Sequence, residues 1–176
     1  MTDSTQSPTF IASGSGDSPR NIAVIATEPQ GKKAKTVVVW CGGFLSDMTG
    51  TKAVALEEFS LAHGLATVRF DYSGHGRSSG HYTEGTISVW LEDALAVLKA
   101  FAGKRRLILV GSSMGGWIAL RIAEELRKAK QGKRLAGIVL IAPAPDFTVE
   151  LIEPRLTDRE RGELDDKGYF EKPSQY

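Results

Sequence analysis

Four short apolar runs rich in β-branched residues alternate with segments of helical length: TVVVW at 36–40, ATVRF at 66–70, RLILV at 106–110 and LAGIVLIA at 135–142. A run that is apolar throughout suits a strand covered on both faces. Parallel strands of that kind need a crossover connection, usually a helix. The intervening segments fit that need. Residues 51–63 predict a helix capped by Thr49 or Thr51 and closed by Gly64. Residues 87–102 predict a second, with Trp90, Ala94, Val97 and Phe101 among its apolar positions and Gly103 after it, and 114–130 a third. The chain thus reads as βαβ units building a mostly parallel sheet with helices on both faces.

Upstream, residues 10–12 and 21–27 read as two strands around the Gly/Ser/Asp/Pro stretch 13–19, an antiparallel hairpin at the sheet edge. After Pro143 the texture changes. Residues 147–176 are charged, with short helical pieces near 148–152 and 157–167 and no further strand. A core at 1–145 and a following segment at 146–176 are the expected domains.

Bulk properties exclude several function classes. A chain of 176 residues can bury a real core as one domain. A net charge of +1 gives no hint of nucleic acid or an anionic membrane as partner, and the basic run at 128–134 reads as a solvated helix end and loop. Cys41 is alone, so neither a disulfide framework nor a cysteine metal cluster is expected. No apolar run approaches the ~18 residues of a membrane span. The first residues lack the basic start and apolar segment of a secretory signal, and they hold Asp3 with no Arg before Arg20, unlike a mitochondrial transit peptide. A cytoplasmic location is the resulting expectation.

The third apolar run leads into GSSMG at 111–115, a G-x-S-x-G centred on Ser113 and followed by a helix. A serine must project clear of the backbone to attack a carbonyl, and a sharp strand-to-helix turn does this while flanking glycines permit the crowding. Ser112 cannot be the centre, because Val110 stands where the motif needs Gly. The N–H of Met114 at the helix start would face a developing oxyanion. A second donor should come from the loop after the first central strand, CGGFL at 41–45, with Phe44 the first choice and Leu45 next.

The glycine-rich stretch RFDYSGHGRSSG at 69–80 lacks G-x-x-x-x-G-K-[ST] and opens no helix directly, so phosphate binding is not expected there. His75, Asp71 and His81 at this spacing read as loop hydrogen-bonders rather than metal ligands, with Asp71 tying the loop to backbone N–H groups.

Several motifs in order resemble a known family. TGTKA at 49–53, LEEF at 56–59, RFDYSGHGRSSG, GSSMGGW and the closing PSQY are similar to the abhydrolase domain-containing protein 10 family of α/β-hydrolases, over about 36–176. Members include mitochondrial palmitoyl-protein thioesterases that also cleave acyl glucuronides. The resemblance implies an α/β-hydrolase fold, Ser113 as nucleophile and Phe44 and Met114 as oxyanion donors. It also implies that the segment from Pro145 begins a cap, or lid, over the active site. No cofactor or metal is implied, and the partner would be a small acyl ester or thioester.

In that fold the triad order is Ser, then acid, then His. Here His63, His75 and His81 all precede Ser113. The expectation is therefore a chain truncated at its C-terminal end, lacking later strands, the acid and the His, and at most a feeble hydrolase by itself. Asp146 could serve as an alternative acid but has no His to orient. A substitute base among His63, His75 and His81 would need a rearranged topology. The rival reading is a non-catalytic pseudo-hydrolase that binds a small ligand or partner. Removal of a strand beside 135–142 would favour aggregation or a loose dimer.

Overall fold

Six strands form one sheet: β1 Thr9–Ser13, β2 Arg20–Thr27, β3 Thr36–Cys41, β4 Ala66–Phe70, β5 Arg106–Ser112 and β6 Leu135–Ile141. The computed structural model describes residues 6–14, 19–31 and 33–170. Across the sheet the order is β1-β2-β4-β3-β5-β6. β1 and β2 form the expected antiparallel edge pair, and β2 also runs antiparallel to β4. The β3–β4, β3–β5 and β5–β6 pairs are parallel.

The helices are α1 Thr51–Ala62, α2 Ile87–Val97, α3 Met114–Lys128 and α4 Asp158–Lys167. Alternation along β3 explains why helices cover both faces. Val37 and Val39 join one core cluster with Leu107, Leu109, Val97 and Ile118, which brings in α2 and α3. Val38 and Trp40 join another with Val110 and Ala53, which brings in α1.

Local details depart from expectation at the helix ends. Gly50, not Thr49 or Thr51, takes the N-cap position of α1, and no side chain caps it. Thr49 is diverted, because both its N–H and its hydroxyl donate to Asp47 Oδ1, at 2.7 and 2.6 Å. Those donors hold the Asp47 carboxyl below its ordinary value. α2 gives way to a π-helical turn at Leu98–Ala102 before Gly103, whose φ of 56° ends the helix. At the other end Thr86 caps α2 by accepting from Val89 N at 3.1 Å.

A buried ion pair, Glu57 of α1 with Arg69 of β4 at 2.7 Å, crosses the α1 side of the sheet. The hydroxyls of Thr27 and Thr67 donate to Glu57 Oε1, and Arg69 donates to the Met48 carbonyl at 2.8 Å. Such partners make a buried charge tolerable; unpaired, it would cost several kcal/mol, on the order of 3–5.

The chain divides into two compact units, Met1–Pro145 and Asp146–Tyr176. The second consists of short turns at Thr148–Ile152 and Glu153–Arg155 followed by α4. A capping box between Thr157 and Glu160 starts α4, and Gly168 at φ 77° closes it. Among the described residues no helix is long and apolar enough to cross a membrane, and no group of three or more His, Cys, Asp or Glu gathers as for a metal ion.

Candidate active site

Parallel strands end together, so the loops that leave β3, β4 and β5 collect at one edge of the sheet. Ser113 stands there, between the last residue of β5 and the first of α3. Its backbone is at φ 52°, ψ −121°, a conformation that costs an L-residue about 1–3 kcal/mol. Backbone bonds hold it. Ser113 N donates to Ile141 O at 3.0 Å, and Ser113 O accepts from Gly116 N at 2.8 Å and Ala144 N at 3.2 Å.

Glycines make the turn possible by close approach. A Cβ on Gly111 would strike the backbone of Gly115 and Gly116. One on Gly115 would strike the carbonyls of Cys41 and Gly42, and one on Gly116 would strike Pro143. The helix start is thus pressed between the end of β3 and the chain leaving β6. The Ser113 side chain is exposed, and among the described residues no side chain hydrogen-bonds it.

Gly43 brings the loop after β3 to the serine: a Cβ there would lie 3.6 Å from Ser113 Cβ and 3.4 Å from Ser112 O. Phe44 and Leu45 follow at the tip of a turn closed by Ser46 N donating to Gly43 O at 3.1 Å, with Leu45 at φ 55°. Both are exposed, Phe44 at 48% and Leu45 at 65%, on the loop that Gly43 brings to the serine, and the Phe44 ring packs on His75, Tyr82 and Trp90. Met114 is buried as the first residue of α3.

The loop after β4 is fixed from beneath. The Asp71 carboxylate accepts from Met48 N at 2.6 Å and from Arg77 N at 2.8 Å, which joins this loop to the one after β3. Burial raises the Asp71 carboxyl, and the Arg77 and Met48 donors oppose the rise. Asp93 of α2, fully buried, accepts from Ser73 N at 3.0 Å and Ser73 Oγ at 2.7 Å. Arg20 neutralises it at 2.9 Å. The Ser73 carbonyl accepts from Trp90 Nε1 and from His75 Nδ1, both at 3.1 Å. The His75 ring packs edge-on to Trp90 at 5.3 Å and to Phe44 at 5.9 Å.

The three histidines are placed elsewhere than on the serine hydroxyl. His63 Nδ1 lies 2.7 Å from Phe59 O, and His81 Nδ1 lies 2.7 Å from Thr83 Oγ1. His75 is buried with its Nδ1 on Ser73 and, among the described residues, its Nε2 without a partner. Asp146 opens the second unit, at φ 54°. The arrangement therefore offers an exposed hydroxyl at a helix N-terminus and an adjacent glycine loop that carries exposed apolar residues.

Sequence reasoning missed Asp93, Trp90 and the Glu57–Arg69 pair as supports of these loops. Asp93 carried a readable signal, because it interrupts the apolar face that Trp90, Ala94 and Val97 form on α2.

Comparison with known proteins bears on this geometry. Residues 32–159 match the family described as serine aminopeptidase, S33. The chain is 37% identical over 139 residues to the mitochondrial palmitoyl-protein thioesterase ABHD10 of Homo sapiens, a match covering 79% of this chain and 43% of that protein. The structure resembles alpha/beta hydrolase domain-containing protein 10 from mouse, with a TM-score of 0.77 at 33% identity over 97% of this chain and 63% of that one. It also resembles a crystal structure from Agrobacterium vitis S4, with a TM-score of 0.84 at 51% identity over 96% of this chain and 64% of that one. The chain spans less than half the length of the human relative.

The expected cytoplasmic location is corrected by the same comparison, since the curated relatives are mitochondrial proteins. That expectation rested on a lone thiol, which does not distinguish one reducing compartment from another, and on the absence of a transit-peptide composition in the first twenty residues, against which the relatives' location weighs.

Proposed function

The chain belongs to the serine aminopeptidase S33 family of α/β-hydrolases, and from that premise we propose that Ser113 is the nucleophile of a hydrolase of acyl esters or thioesters. The observation that carries the reading is the left-handed backbone of Ser113 between β5 and α3, which leaves its hydroxyl exposed. Ser113 Oγ attacks the acyl carbonyl carbon as a base removes its proton. The Oγ–C bond forms, and the carbonyl π pair becomes an oxyanion. The backbone N–H groups of Phe44 and Met114 donate to that oxyanion. The oxyanion collapses, the leaving alcohol or thiol takes the proton from the base, and water then releases the acyl group by the reverse sequence. No metal or cofactor is needed for these steps.

The reading places the acid and the His in the part of the relatives' length that this chain does not span. The ester or thioester class rests on the name of the human relative and on the exposed apolar Phe44 and Leu45 of the loop that Gly43 brings to the serine. In the same reading, the unit from Asp146 is the start of a lid. A second reading, a ligand-binding protein without turnover, is favoured by one observation: none of the three histidines bonds Ser113 among the described residues.

The test joins this chain to the remaining C-terminal part of the Agrobacterium vitis relative. The expected result is labelling of Ser113 by a fluorophosphonate and faster cleavage of p-nitrophenyl butyrate than of p-nitrophenyl phosphate, both lost in Ser113→Ala. Labelling that survives in Ser113→Ala removes the nucleophile assignment. An unlabelled, folded fusion that still binds acyl ligands favours the second reading.

A further inference from the structure

We infer that His75 is a positioning residue: its ring, by seating the ring of Phe44, fixes the backbone N–H that Phe44 would offer to an oxyanion at Ser113. This role rests on the hydrolase reading, which makes Phe44 a donor.

The loop after β3 is anchored by polar groups at one place only. Met48 is fully buried. Its N–H donates to Asp71 Oδ1 at 2.6 Å, and its carbonyl accepts from Arg69 Nη1 at 2.8 Å. The tip of the loop has no such anchor. The turn is closed by its own bond from Ser46 N to Gly43 O, and Leu45 stands at φ 55°. Among the described residues no hydrogen bond holds Phe44 or Leu45. What ties Phe44 to the rest of the fold is its ring. It meets His75 at 5.9 Å and Tyr82 at 6.2 Å, both near edge-on at 74°, and Trp90 at 5.9 Å. These separations lie within the roughly 4.5–7 Å at which aromatic pairs attract.

The three rings of that seat differ in what they otherwise do. Tyr82 is 43% exposed, in a short 3-10 turn. Trp90 belongs to the main core cluster, so packing alone accounts for its burial. His75 is buried outside that cluster, and among the described residues its Nε2 has no partner. A buried polar atom left unpaired is unfavourable. The contact with Phe44 gives the ring a reason to be there. The seat itself is rigid. A carbonyl only accepts, so His75 Nδ1 carries the proton that it shares with Ser73 O at 3.1 Å. Ser73 is fixed in turn by its N–H and hydroxyl on Asp93, and Asp93 by Arg20.

Holding the Phe44 ring holds its Cα, and with it the peptide that follows Gly43 past Ser113. A misplacement of about 1 Å in such a group can slow a reaction roughly 10²-fold. The oxyanion exists only beyond the ground state, so the loss falls on kcat and spares KM. A phenyl ring should serve as well as the imidazole. Nε2 makes no bond that would be lost, and Ser73 O keeps its second donor, Trp90 Nε1 at 3.1 Å.

The test has two arms. In the 1–176 chain, nitrogen-15 relaxation should give the Phe44 N–H an order parameter of about 0.85, falling below about 0.6 in His75→Ala and restored in His75→Phe, with the β3 amides unmoved. Phe44→Ala, at a half-exposed position that does not threaten the core, should free the N–H of residue 44 in the same way. In the fusion that tests the hydrolase reading, His75→Ala should lower kcat on p-nitrophenyl butyrate tenfold or more with KM within twofold, and His75→Phe should stay within threefold of the unchanged enzyme. His75→Ala combined with Phe44→Ala should be no slower than Phe44→Ala alone, because both act through one contact. A residue 44 N–H that stays rigid in His75→Ala or in Phe44→Ala overturns the proposal. So do losses that multiply in the double variant, or a His75→Phe as slow as His75→Ala, which would assign the effect to the imidazole nitrogens. A fusion without turnover counts against the hydrolase reading instead, and the order parameters then decide whether His75 positions the loop.

Discussion

Cys41 ends β3 with its side chain wholly buried, and burial pushes its thiol up to about 12, only partly opposed by the nearby Tyr72 hydroxyl. The unfolded chain would release that proton near the ordinary value of about 8.5. The raised value makes the folded state the better proton holder. Its contribution is therefore fully present below about pH 8.5 and is lost as pH climbs toward 12, by up to about 1.4 kcal/mol per pH unit. Urea unfolding at pH 7.5, 9 and 10.5 should show the unchanged chain losing stability relative to Cys41→Ala over that range. Parallel curves for the two proteins would show that the thiol is not so shielded. Among the site residues, Ser113 was legible because G-x-S-x-G needs only local order: a strand, a turn and a helix in succession. Asp93 and Arg69 were not, since their partners, Arg20 with Ser73 and Glu57, come from distant parts of the chain. Only the fold brings them together.

The strands were legible for a physical reason. Runs such as TVVVW and LILV can satisfy their side chains only when covered on both faces, and β3 and β5 are central in the sheet. Helix ends were less legible, because capping is decided by small competitions, as when Asp47 takes both donors of Thr49 ahead of α1. β6 shows a different limit. Its sequence LAGIVLI reads as a buried central strand, yet among the described residues it pairs with β5 alone and exposes Val139, Leu140 and Ile141 by 37–49%. An uncharged apolar edge of seven residues carries none of the lysines or prolines that block pairing with another chain. The chain should therefore associate as its concentration rises. Sedimentation velocity should show this shift, and Val139→Lys should suppress it without lowering the melting temperature. A chain that stays monomeric at every concentration would count against the edge as a pairing surface.

At the scale of the molecule, stability is distributed unevenly between the two units. The unit Met1–Pro145 holds the sheet and every residue of the main core cluster. The unit from Asp146 has no buried residue in its helical segments. Ten residues of α4 are too few for a stable helix in water without packing, and a capping box adds only about 1 kcal/mol. Regions with few buried contacts open locally at little cost in free energy. Removing residues 146–176 should therefore change the stability of the remainder by less than about 1 kcal/mol, or roughly 2–4 °C in melting temperature for a domain of this size. Limited proteolysis should also cut first within 146–170, leaving the sheet unit intact. Thermal melts of the 1–145 and 1–176 chains give the direct comparison. A fall of 10 °C or more on removal would mean that the second unit is an integral part of the folded core, and its independence from the sheet unit would have to be abandoned.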